Sequence, residues 1–146
     1  MTITLEDVRA AVGRMAARLA AAGAGGHELV AFDFREGAHP FVEVRDGALH
    51  WVVVDRGREL QRRTTTDLDE LLYWIAVDAT GPAARRWERQ RRDRFPAGRD
   101  VRIGRLAKQL DLLRGLDAGW AARFRAGVPA ECPGVTPADV DAHPLD

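Results

Sequence analysis

The chain has 146 residues, enough to bury a core without metal or disulfide staples. Its 22 basic and 22 acidic residues cancel, which excludes a global pull toward nucleic acid or an anionic membrane. The one cysteine, Cys132, excludes an internal disulfide and points to a reducing compartment, and the absence of any serine excludes serine-nucleophile chemistry.

The first residues carry Glu6, Asp7, Arg9 and Arg14 where a signal peptide needs an apolar run. No stretch approaches the ~20 apolar residues of a membrane span. A cytoplasmic protein with no membrane partner is the expectation. Lys108 is the only lysine, so the basic residues are otherwise arginines.

Thr4 is placed to cap a first helix over LEDVRAAVGRMAARLAAAG, with Leu5, Val8, Val12, Met15 and Leu19 on one face. Gly23 to Gly26 ends it. These glycines follow a helix and precede a strand, and no Gly-Lys-Ser/Thr is present, so the order is wrong for a phosphate loop.

From Leu29 the period changes to two. The pattern predicts strands over 29–34, 41–45, 49–54 and 58–64, forming an antiparallel meander. Asp46-Gly47 is a strong type I′ hairpin signal, and Arg56-Gly57 makes a second tight turn. The run LHWVVV is apolar enough for a central strand, and the charged strand after it suits an edge.

The stretch Asp67 to Thr80 predicts the helix around which the rest packs. Leu68, Leu71, Leu72, Ile75 and Ala79 form one apolar stripe, and Tyr73, Trp74 and Val77 make the opposite side apolar too. Such a helix is expected to be covered on two sides. Asp67 with Glu70 three residues later reads as an N-cap and its reciprocal partner. Gly81-Pro82 is expected to interrupt the helix, and 83–94 to continue as a second limb or as a separate helix. Phe95 to Gly98 breaks the chain. Val101 to Leu116 is a further helix with Ile103, Leu106, Leu110 and Leu113 in a stripe, and Asp117 caps a last one holding Trp120 and Phe124. The fold class is therefore α+β: an N-terminal helix, a four-stranded antiparallel meander packed on a central helix, and a helical C-terminal half. Residues 1–128 are read as one domain. Residues 129–146 are read as an irregular, proline-rich, acidic tail containing Glu131, Asp139, Asp141 and Asp146.

No constellation carries catalysis. His27, His39, His50 and His143 stand apart, without a pair at ligand spacing, so no metal site is expected. Cys132 has no histidine near it in sequence. Asp33, Glu43 and Asp55 lie on or beside strands, but no spacing marks them as an acid–base pair. The densest charge is basic. Arg85, Arg86, Arg89, Arg91, Arg92, Arg94, Arg99, Arg102 and Arg105 fall close together, and on a helix the first of these would point in every direction. This stretch gives the alternative reading, a nucleic-acid-associated module. Only Trp87 and Phe95 are interleaved with it, which speaks against base reading. Asp67, Asp69, Glu70 and Asp78 form an acidic counterpart, with favourable charge at the start of their helix.

The stretch WVVVDRGRELQRRTTTDLDELLYWI, a strand, tight turn, strand and capped helix, resembles the immunity protein 63 family of bacterial polymorphic toxin systems. The later LAKQLDLLRGLDAGWAAR resembles that family's helical half, and the likeness runs over roughly residues 40 to 125. At Gly81-Pro82 the chain departs from the uninterrupted helix expected of the family. The resemblance implies a cytoplasmic, non-catalytic protein without a cofactor, whose partner is a cognate protein toxin domain. Trp51, Leu71, Leu72 and Trp74 read as core and Asp67 as a cap. The partner contact is therefore sought in Asp69, Glu70, Tyr73 and Asp78, or in Arg85, Arg89 and Arg92.

Overall fold

A computed structural model describes residues 2–145. Asp146, counted above with the acidic tail, lies outside the described residues. The chain forms two compact units, Met1–Ala76 and Val77–Asp146.

In the first unit, α1 spans Leu5–Ala21. Thr4 and Asp7 form a reciprocal capping box at its start, so two exposed amides at the helix end are satisfied. At its other end Gly23, with φ 77°, closes a Schellman motif in which the Ala24 and Gly23 amides return to the Leu19 and Ala20 carbonyls at 2.8 and 3.0 Å. Gly25 has a purely steric role. A Cβ there would lie 2.6 Å from the Ala20 Cα. The glycine run is thus the stop of a helix.

Three antiparallel strands follow in the order β1-β2-β3: Phe41–Arg45, Ala48–Asp55 and Arg58–Thr65. Both connections are two-residue turns with positive φ at each position, 53° and 75° at Asp46-Gly47 and 54° and 73° at Arg56-Gly57. Type I′ turns have this signature and match the twist of the strands they join. The register pairs Phe41 with Val52 and Trp51 with Arg63, and a bulge falls between Val53 and Val54. β2 is central and β3 is an exposed, charged edge, as its composition predicts.

The sheet has three strands where four are expected. Of residues 29–34, Ala31 pairs with it through the backbone, in a parallel bridge to Phe41. The Ala31 amide donates to the Pro40 carbonyl at 3.0 Å, and the Val42 amide to the Ala31 carbonyl at 2.9 Å. Leu29, Val30 and Ala31 are buried consecutively, and the chain bends at Phe32 and Asp33 instead of continuing alongside β1.

Helix α2 runs unbroken over Leu68–Arg91 with Pro82 inside it, so the expected interruption at Gly81-Pro82 does not occur. Asp67 caps it by accepting the Asp69 amide at 3.0 Å. The Asp67 amide itself donates to the Thr65 hydroxyl at 3.0 Å, and Glu70 takes the Trp74 indole N–H at 3.0 Å. Leu71 and Ile75 are fully buried, whereas Leu68, Leu72, Tyr73, Trp74 and Val77 are half-buried. The stripe thus narrows to Leu71, Ile75, Ala76 and Ala79.

In the second unit, the later part of α2 is followed by a 3-10 turn at Arg92–Arg94, α3 over Val101–Leu116, α4 over Ala118–Glu131 and α5 over Pro137–Asp141. Asp100 and Asp117 cap α3 and α4. The side chain of Gln109 on α3 reaches α2 beside the proline. Its Nε2 donates to the Val77 carbonyl at 2.9 Å and to the Thr80 hydroxyl at 3.1 Å. Proline at 82 removes one amide donor from the helical ladder, and a donor from α3 enters the same turn. Beyond residue 128 the chain is more ordered than its prolines suggest: Pro129 lies within α4, Thr136 and Asp139 form a capping box, and Val135 and Val140 are buried.

Candidate interaction surfaces

The first unit presents a groove of about 480 Å³ along one face of its sheet. Phe41, Val52 and Val54 floor it, and Phe34 stands at its lip with 65% of its surface exposed. The polar end is a charge lattice. Arg62 reaches Glu43 at 3.2 Å and Glu59 at 2.8 Å, and Arg45 holds the other Glu43 oxygen at 2.6 Å. Arg62 Nη1 also lies 3.0 Å from His50 Nδ1, with the Thr64 hydroxyl 3.1 Å from the same nitrogen. A guanidinium only donates, so any hydrogen bond in this contact has Nδ1 as its acceptor.

This lattice is poorly suited to proton transfer. The hydrogen bond from Arg62 holds the Glu59 carboxyl below its usual range, so it stays ionised at neutral pH. Of the three strand carboxylates singled out in the sequence, Asp33 and Glu43 line the groove and Asp55 does not. Asp33 pairs with Arg35 at 3.2 Å and Glu43 with two arginines. Among the described residues, no three His, Cys, Asp or Glu side chains converge as a metal site would require.

On the other sheet face, the Arg63 guanidinium lies 5.8 Å from the Trp51 ring and 5.5 Å from that of Trp74. It shields two indoles that the sequence marks as core. Nearby on α2, Asp69 is exposed and Glu70 and Tyr73 are half-buried; Asp78, further along the helix, is exposed. Each of these four already has an interaction within the chain.

The arginine stretch is sorted by the helix into two classes. Along α2, Ala83, Ala84, Trp87 and Glu88 are buried, whereas Pro82, Arg85, Arg86, Arg89 and Gln90 are exposed. The first arginines therefore share one face, where the sequence suggested scatter. Arg92 belongs to the second class. It grips Glu88 one turn back with two hydrogen bonds, one from Nε at 3.0 Å and one from Nη2. Glu88 is only 3% exposed, and this contact holds its carboxyl below the usual range. Arg91 covers the Trp87 ring at 5.1 Å, and Arg102 is held by Asp100 at 2.7 Å. Among the described residues, Arg85, Arg86, Arg89 and Arg94 form no ion pair.

Sequence reasoning missed a cluster below this face. The Arg99 guanidinium stacks 4.1 Å over the Phe95 ring, and the His143 ring centre is 4.7 Å from that of Phe95. Gly104 leaves room for both: a Cβ there would sit 3.1 Å from Arg99 Nη2 and 3.2 Å from His143 Nε2. Burial and the neighbouring Arg99 push the His143 pKa below its ordinary value. No sequence signal joins residues 95, 99, 104 and 143, because the contact depends on how the last residues return to α3.

No curated protein and no solved structure matches the chain. The model of one family, immunity protein 63, matches residues 46–130, which is more than half of the chain. The match starts in the β1–β2 turn and ends within α4, and so takes in β2, β3 and α2, the helix that carries the arginine face. The chain belongs to the immunity protein 63 family.

Proposed function

We propose that the chain is the immunity partner of a polymorphic toxin, binding one cognate toxin domain in the cytoplasm and blocking it stoichiometrically, without catalysis or cofactor. Family membership carries the reading. The groove chemistry agrees with it, since its carboxylates are tied to arginines rather than poised for proton transfer. The contact residues proposed from the sequence are Asp69, Glu70, Tyr73, Asp78, Arg85, Arg89 and Arg92.

The nucleic-acid reading draws no support from the aromatic residues beside the arginines. Trp87 is 8% exposed, and Phe95 already carries the Arg99 guanidinium over its ring with His143 tilted against it, so both rings are engaged within the chain.

Co-expression tests the proposal. Cells producing the C-terminal domain of the toxin encoded beside this gene are expected to grow when they also produce this chain. They are expected to die when they produce an unrelated immunity protein. Death in both cases overturns the proposal, as does the absence of any toxin gene alongside.

A further inference from the structure

We infer that the exposed face of α2 formed by Arg85, Arg86 and Arg89 is where the partner docks, and that it receives a patch of aspartate and glutamate on the toxin domain. The inference rests on the immunity reading and adds to it which surface binds and what chemistry it meets.

The placement of charge carries the argument. Arginine as a residue type says little here, because Lys108 is the only lysine. Arg14, Arg56, Arg58, Arg94 and Arg114 are likewise exposed and, among the described residues, form no ion pair. What distinguishes these three is that they fall together on one face of a helix, whereas several other arginines already hold a carboxylate. Arg35, Arg45, Arg62, Arg92, Arg102 and Arg125 are paired at 3.2 Å or less. Arg85, Arg86 and Arg89 are exposed and, among the described residues, unpaired.

Their spacing adds to this. Arg85 and Arg86 stand four and three residues before Arg89, so both are its neighbours on the helix surface. Like charges at these spacings repel by a few tenths of a kcal/mol per pair in the free helix. An acidic partner turns that repulsion into attraction, and guanidinium forks match carboxylates in bidentate geometry. The alternative set is less available, since Asp69, Glu70, Tyr73 and Asp78 are all engaged within the chain and Arg92 is committed to Glu88.

The partner's chemistry follows from the same charge. A cleft that grips phosphates is itself basic and would be repelled by this face. The contacted surface is therefore acidic, and is not the substrate cleft of a nucleic-acid-cleaving domain.

The test is a calorimetric titration of the purified full chain with the C-terminal domain of the toxin encoded beside its gene. Three proteins are compared: the wild type, the variant Arg85→Glu/Arg86→Glu/Arg89→Glu, and the control Arg14→Glu/Arg58→Glu/Arg114→Glu with the same change in net charge. The first triple variant is expected to weaken binding by about 100-fold or more and the control by less than about threefold. Should the glutamates disturb folding, as judged by circular dichroism, the variant Arg85→Gln/Arg86→Gln/Arg89→Gln is expected to weaken binding by about 10-fold or more. Equal affinity of wild type and the folded triple variants overturns the inference while leaving the immunity reading intact. Failure of the wild type to bind the domain overturns both. A random-sequence duplex DNA titrated in parallel gives a further arm. If it binds as tightly as the toxin domain and loses affinity in the same triple variant, the face serves nucleic acid and the inference is wrong.

Discussion

Arg92 and Glu88 sit one turn apart on α2 and share two hydrogen bonds, with the carboxylate buried and the guanidinium half outside. Arg92→Ala would strand a buried carboxylate, the costly half of a broken pair. The thermal midpoint is expected to fall by several degrees. Arg85→Ala and Arg89→Ala, which break no ion pair or hydrogen bond, should change it by about a degree or less. Differential scanning calorimetry on the three variants separates an arginine held for folding from arginines that are free. Equal midpoints would show that the pair is incidental.

Gln109→Leu is expected to cost about 1–3 kcal/mol in urea unfolding, because it removes a buried donor from the Thr80 hydroxyl and the Val77 carbonyl beside Pro82. A neutral result would mean that the turn around the proline satisfies itself.

Trp74 is half-buried, with its indole N–H on Glu70 and Arg63 over its ring. Trp74→Ala should therefore cost about 1–3 kcal/mol, less than full enclosure would demand. Leu71→Ala, at a fully buried site, should cost about 2–5 kcal/mol. A larger loss at Trp74 than at Leu71 would reverse the assignment of which of the two is core.

His143 adds a pH dependence. Its pKa is lowered in the fold, chiefly by burial and then by Arg99, so the unfolded chain binds the proton more readily. The stability it contributes is whole above the ordinary histidine value of 6.5 and is lost as pH falls through the lowered folded value. Glu88, Asp100 and Asp141 are also lowered, by their arginine partners, but as carboxylates they lose their contribution at more acidic pH. Midpoints measured from pH 8 to 5 should fall in the wild type below about 6.5, and less in His143→Gln. Parallel curves would show that His143 is not the group responsible.

Much of this structure was legible in the sequence where a local rule decided the outcome. Asp-Gly and Arg-Gly turns require positive φ, Thr4, Asp67 and Asp117 supply oxygens to helix starts, and the β2 run is too apolar for an edge. The misreadings fall where tertiary contacts override such rules. Residues 29–34 look alternating, but their buried side chains are consecutive. Pro82 reads as a break, yet α2 passes through it with Gln109 at its side. The arginine face was hidden for a related reason: only the burial of Trp87 and Glu88 shows which way the helix turns, and so which arginines share a side. The set Asp69, Glu70, Tyr73, Asp78, Arg85, Arg89 and Arg92 mixed residues already engaged with residues that are free.

The central claim is that this chain neutralises one toxin domain by binding it. Titration calorimetry of the purified chain with the C-terminal domain of the toxin encoded beside its gene tests that claim most directly. The account predicts one-to-one binding with a Kd in the nanomolar range or tighter, of the order of 12 kcal/mol. No detectable heat or co-migration at micromolar concentrations of both proteins would contradict it.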